Sequence, residues 1–111
     1  MDSEDQTQAY AQADFTEPNR LFVQRFFARF GAAGAGDHAV DLGCGPADIT
    51  IRLSSMYPSC QITGADAGEN MLRQAEAAVK VSAARGRVTL ARCRLPDIST
   101  LTPPYDAIIS N

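Results

Sequence analysis

The stretch that most constrains this chain is Ala39-Val-Asp-Leu-Gly-Cys-Gly-Pro-Ala-Asp48. A short apolar run ends in an acid, Asp41. Gly43 and Gly45 follow, and Pro46 opens an amphipathic segment. The pattern reads as strand, tight glycine turn, helix. Glycine adds no Cβ and tolerates positive φ, so such a turn lets a ligand approach backbone closely. The helix start beyond it offers unpaired N–H donors and a partial positive charge. Nucleotide-binding α/β domains are built this way, which predicts a parallel sheet with a ligand crevice at this turn.

Asp41 narrows the choice of ligand. A dinucleotide would set its pyrophosphate against the turn, and a carboxylate just before it opposes that. The dinucleotide pattern G-x-G-x-x-G/A also fails, because its last position, counted from Gly43, is Asp48. S-adenosylmethionine has no phosphate and carries an ammonium and a sulfonium, which suit a nearby acid. A second acid, Asp66, ends the next apolar run, Gln61-Ile-Thr-Gly-Ala-Asp66, 21 residues beyond Gly45. That is close to the spacing at which such folds set a carboxylate on ribose hydroxyls. As a strand-end group, Asp66 reads as dispensable to the fold itself.

Together, Asp41-Leu-Gly-Cys-Gly45 and Gly64-Ala-Asp66…Asn70-Met-Leu72 resemble the class I S-adenosylmethionine-dependent methyltransferases, from about Asn19 to Asn111. The departures are Ala47, where many relatives carry a third glycine, and Gly68, where many carry Ser. The resemblance implies a doubly wound, Rossmann-like, mostly parallel sheet with helices on both faces, its strand order beginning 3-2-1-4. It also implies S-adenosyl-L-methionine as cofactor and methyl transfer as activity. On that reading Asp41 accepts from the cofactor's ammonium, directly or through water, or else caps the turn. Gly43, Cys44 and Gly45 form the close-approach turn, with Cys44 a small side chain between the glycines. Asp66 holds the ribose hydroxyls and Ala67 faces the adenine. Met71 flanks the adenine or packs in the core. Many relatives end the third strand in Gly-Asp, the acid receiving the adenine amino group. The equivalents here are Cys93 and Arg94, and arginine cannot accept that bond. Either backbone or Asp97 then serves. Asn111 ends the fourth strand, towards which the cofactor's methyl group points.

The remaining elements follow from periodicity. A helix is expected from Pro18 to about Phe30, with Leu21, Phe22, Phe26 and Phe30 at helical spacing. Strands are expected over 38–42, 60–65, 88–93 and 105–110, and helices over 46–57 and 69–84. Gly68 suits an N-cap. Residues 1–17 hold five of the thirteen acids and none of the ten Lys and Arg residues. They read as a mobile acidic segment ahead of a domain over 18–111, with Tyr10 and Phe15 as candidates to lie over the cofactor. The rest carries ten basic and eight acidic groups, without the basic stripe of a dedicated nucleic-acid binder. Lone His38 reads as an edge residue with nothing to pair with.

Three cysteines at unrelated spacings fit neither a disulfide framework nor a metal site, and suit a reducing cytoplasm. No apolar run approaches the ~20 residues of a membrane span. The chain ends where the resembled family continues into further strands and the acceptor pocket. It is therefore expected to be an inactive N-terminal fragment that self-associates through its fourth-strand edge. The catalytic residues and the methyl acceptor stay unknown; a small molecule is favoured and nucleic acid remains open. The competing readings are an NAD-type oxidoreductase domain, opposed by Asp41 and Asp48, and a cofactor-binding module without catalysis.

Overall fold

The apolar strand β1 (His38–Leu42) lies inside a four-stranded sheet, paired in parallel on both sides. The computed structural model describes residues 15–95, 97–101 and 103–110. Around β1 run α1 (Thr16–Phe30), α2 (Asp48–Met56), β2 (Gln61–Asp66), α3 (Glu69–Lys80), β3 (Val88–Arg92) and β4 (Ala107–Ser110). The strand order is β3-β2-β1-β4, and every pairing is parallel. The chain winds outward one way from β1 through β2 to β3, then returns to β1's other side as β4. The order reverses at β1, and crevices in open α/β sheets open beyond the strand C-termini at such a point. The glycine turn leaves β1 there.

Strand register sorts the side chains by face. Ala39 pairs with Ile62 and Ala107, Ile62 with Val88, and Asp41 with Gly64 and Ile109. Since side chains alternate along a strand, these residues share one face. Val23 of α1 and Ile49 and Leu53 of α2 pack there against Ala39, Ile62 and Ile109. Ala75 and Val79 of α3 pack against Val88 and Leu90 beside them. Among the described residues, all three helices thus cover this face. The opposite face carries Val40, Leu42 and Ala65, packed against Cys93, Leu101 and Tyr105 of the connection into β4. On β4, Ile108 stays exposed on that side.

Several boundaries differ from the periodicity. Helix α1 begins at Thr16, so Thr16 and Glu17 join the domain. Proline in the first turn forfeits only an N–H that has no helical acceptor, and Glu17 there favours the helix dipole. The expected mobile segment otherwise falls on residues 1–14, outside the described residues. Helix α2 starts at Asp48 because Ala47 is left-handed, with φ 73°. Helix α3 stops at Lys80, short of Ala84. Ser82 Oγ there donates to Val79 O and accepts from Ala84 N, a local alternative to continued helix. Strand β4 starts at Ala107. Just before it, Asp106 Oδ2 accepts from the backbone N–H groups of Asp37 and His38 and so ties the entries of β1 and β4 together.

Candidate cofactor-binding site

Gly43 and Gly45 adopt φ of 72° and 55°, the region closed to most side chains, so the turn needs glycine at both. The turn is pinned to the end of β2. The N–H groups of Gly43 and Cys44 both donate to Ala65 O, at 2.7 and 2.9 Å. The Gly45 N–H donates to Asp66 Oδ2 at 2.9 Å. The other Asp66 oxygen accepts from Gly68 N at 2.8 Å. Asp66 therefore clamps the glycine turn to the loop that opens α3, a structural duty its strand-end position did not suggest.

Asp41 is 3% exposed and lies beneath the turn. Its Oδ2 accepts from the Thr50 hydroxyl of α2 at 2.7 Å. The turn's own N–H groups are donated elsewhere, so Asp41 does not serve as their cap. Burial pushes the Asp41 carboxyl up to about 6; the Thr50 hydrogen bond opposes that rise, and the charge of Asp66 adds to it. Cys44, also buried, is pushed up to about 12 by burial and by the charges of Asp41 and Asp66. It is a packed neutral thiol. An acceptor-rich turn of this kind, with two carboxylates around it and its N–H groups engaged, repels a phosphate and favours cations and hydroxyls.

A cavity of about 250 Å³ opens beside the turn, lined by Leu42, Gly43, Ala65, Asp66, Ala67, Cys93 and Leu95. A Cβ built on Gly43 would meet nothing within 4 Å, so a ligand can come up to the backbone there. Ligand clefts run to about 300–1,000 Å³, so this cavity is smaller than a whole ligand site; it has a polar floor at Asp66 and apolar walls.

Of the residues read from the sequence, Gly43, Asp66 and Ala67 line this cavity, while Asp41, Cys44 and Gly45 are buried around the turn. Met71 is buried and outside the lining. Arg94 is exposed and also outside it; its neighbours border the cavity, Cys93 buried and Leu95 an exposed residue of the turn that the Asp97 N–H closes on Arg94 O. Asp97 is exposed, and its Oδ1 accepts from Ser99 N at 2.9 Å, which holds its carboxyl below the usual range. Asn111 and Tyr10 lie outside the described residues. Phe15 is exposed at the start of α1. His38 does have partners: Nε2 lies 3.1 Å from Thr63 Oγ1, and its ring packs on Tyr105. Sequence reasoning passed over Thr50, although its place three residues before Leu53 puts it on the inward face of α2.

The parallel sheet and the glycine turn at its switch point define a Rossmann-like domain. The methyltransferase domain family matches residues 39–111, and the chain belongs to that family. The trans-aconitate 2-methyltransferase of Streptomyces avermitilis is 41% identical over 73 residues, 64% of this chain and 26% of that protein. The ubiquinone/menaquinone biosynthesis C-methyltransferase UbiE of Syntrophotalea carbinolica is 32% identical over 77 residues, 69% of this chain and 31% of that protein. The chain thus spans about a quarter to a third of these relatives. Among solved structures, a protein of Methanococcus maripaludis described as an S-adenosyl-L-methionine-dependent methyltransferase superimposes with TM-score 0.84 at 18% identity, over 97% of this chain and 49% of that one. Phosphoethanolamine N-methyltransferase 2 of Haemonchus contortus, solved with S-adenosyl-L-methionine, gives 0.64 at 26% identity, over 81% and 20%.

No helix among the described residues is long and apolar enough to cross a membrane. Among the same residues, no cluster of His, Cys, Asp and Glu could hold a metal ion.

Proposed function

We propose that this chain is the S-adenosylmethionine-binding half of a methyltransferase that acts on a small molecule. The observation that carries the reading is the pair of carboxylates around one glycine turn, Asp41 beneath it and Asp66 bonded to Gly45. The donor set fits the cofactor. Each oxygen of an ionised carboxylate has two lone pairs, and Asp66 uses one on each side for backbone, which leaves acceptor capacity for two ribose hydroxyls. Ala67, Cys93 and Leu95 supply apolar wall for the adenine. Asp41, buried as it is, acts on the ammonium end through its field and a bridging water rather than by open contact. When bound, the cofactor supplies a methyl group on sulfonium, which leaves to a nucleophile.

What this chain contributes is binding and orientation. It holds the nucleoside against the sheet's C-terminal edge and balances the positive charge of the amino-acid end. A methyl transfer gains most from aligning donor and acceptor. A small-molecule acceptor is favoured by the trans-aconitate relatives and by the absence of a basic stripe in the sequence. The three unbridged, buried thiols support a reducing compartment, the cytoplasm.

The test is a methyl-transfer assay on the full-length protein with labelled S-adenosylmethionine, offering trans-aconitate, other small carboxylic acids, and a tRNA pool. The reading expects label on a small acid. Label on tRNA alone would overturn the small-molecule acceptor, and label nowhere across a broad metabolite panel would favour a binding module.

A further inference from the structure

We propose that Thr50 is a positioning residue for the cofactor's amino-acid end: its hydroxyl fixes the Asp41 carboxylate beneath the glycine turn. The proposal rests on the reading of the site given above. Thr50 is fully buried and lies in the first turn of α2, nine residues beyond Asp41. In the first turn its own helix offers the hydroxyl no carbonyl one turn back, which leaves it free to bond elsewhere. Here the hydroxyl crosses to another element and meets a carboxylate at 2.7 Å. Asp41 has almost no water to solvate it, since it is 3% exposed. The Thr50 hydroxyl is the donor the structure gives that carboxylate.

The groups around Asp41 make the bond matter. Asp66 faces it from the end of β2 and disfavours a second negative charge. Cys44, on the turn, stays neutral and contributes no charge. The helix start of α2 adds partial positive charge from the other side. Among these, the hydroxyl alone gives direction: it selects one carboxylate rotamer, and it bonds most strongly to the ionised form. Without it, Asp41 takes up a proton more readily, and the turn loses the charge that faces the ammonium. Valine is the shape-matched replacement, because it keeps the β-branch and removes only the hydroxyl.

Two measurements on the full-length protein decide the matter. The first is a 13C NMR titration of the Asp41 side-chain carboxyl in the free protein, for wild type, Thr50→Val and Thr50→Ser. The second is calorimetric binding of S-adenosylhomocysteine at about pH 6, 7 and 8, where its ammonium stays largely protonated. In Thr50→Val the carboxyl titrates at higher pH than in wild type. Affinity falls roughly tenfold at pH 6 to 7, as expected for loss of one hydrogen bond to a charged group, and the loss shrinks by pH 8. Thr50→Ser behaves as wild type in both. Circular dichroism checks folding; if the valine variant does not fold, Thr50→Cys, a weaker donor, takes its place with a smaller shift in the same direction. An unmoved titration, or an affinity loss equal at every pH, overturns the proposal, because a merely structural role predicts that result. A wild-type protein that binds no S-adenosylhomocysteine overturns the site reading and this proposal with it.

Discussion

Replacing Asp41 by asparagine should make the fold gain stability relative to wild type as pH rises. Burial raises the Asp41 carboxyl from 3.8 to about 6. Between those values the folded chain binds more protons than the unfolded chain, so this group's contribution to stability falls as pH rises through that window. The penalty is absent below about pH 4 and complete above about pH 6. A pKa unit corresponds to about 1.4 kcal/mol, so the full penalty is about 3 kcal/mol. The asparagine of the Asp41→Asn variant carries no charge and so no such penalty. Its buried amide N–H₂ does add a cost of about 1–3 kcal/mol if left unpaired, which masks the gain at any single pH. That cost does not vary with pH and cancels on subtraction. The quantity to measure is therefore the variant-minus-wild-type stability at about pH 7.5, less the same difference at about pH 4. Urea unfolding followed by circular dichroism and fluorescence gives both, and agreement of the two probes checks that unfolding is two-state. The expected result is a rise of about 3 kcal/mol in favour of the asparagine variant. A difference that stays flat across the window would refute the buried-charge argument, and one that falls would reverse its sign.

Asp66→Ala should weaken S-adenosylhomocysteine binding by about 1–3 kcal/mol and lower stability by a similar amount, since Gly45 and Gly68 lose their acceptor. Calorimetry and urea unfolding read the two effects; unchanged stability would remove the clamp. Ala47→Gly should relieve about 1–2 kcal/mol of left-handed strain at φ 73° but lose about 0.8 kcal/mol of methyl burial against Ala75 and Val79, for a net gain of about 1 kcal/mol or less by urea unfolding. A loss above about 1 kcal/mol would contradict that balance. The three thiols should react slowly with a disulfide reagent in the native protein and fast after denaturation, because all are buried and burial pushes the Cys44 and Cys60 thiols up. Fast labelling of the native protein at neutral pH would show that the turn opens.

Sequence and structure agree where the residue type is itself the physical requirement. Two glycines at positive φ and an acid beside them announce the turn, and an apolar run ending in Asp66 announces the second strand. The order β3-β2-β1-β4 follows from the resemblance, since periodicity fixes elements but not their neighbours. Other features depend on contacts that no local pattern encodes. The residue type at Ala47 gives no sign of being left-handed; the hint lies in the glycine that many relatives of the resembled family carry there. The Asp66 clamp and the Thr50–Asp41 bond join residues 21 and nine apart and exist only once β1, β2 and α2 have packed. Counting along the chain aligns Arg94 with a relative's acid. The strand ends at Arg92, however, and a turn closed on Arg94 O follows, with Cys93 buried at the cavity and Arg94 left outside it. Ser82 ends α3 early through its hydroxyl, a competition that helix propensity alone underweights.

Two carboxylates around this turn should select a nucleoside with a cationic end over a dinucleotide. Calorimetry on the full-length protein with S-adenosylhomocysteine and, separately, NADH tests it most directly. The expected result is saturable binding of S-adenosylhomocysteine, weakened in Asp66→Ala, and no measurable heat with NADH. Binding of NADH with S-adenosylhomocysteine silent would contradict it.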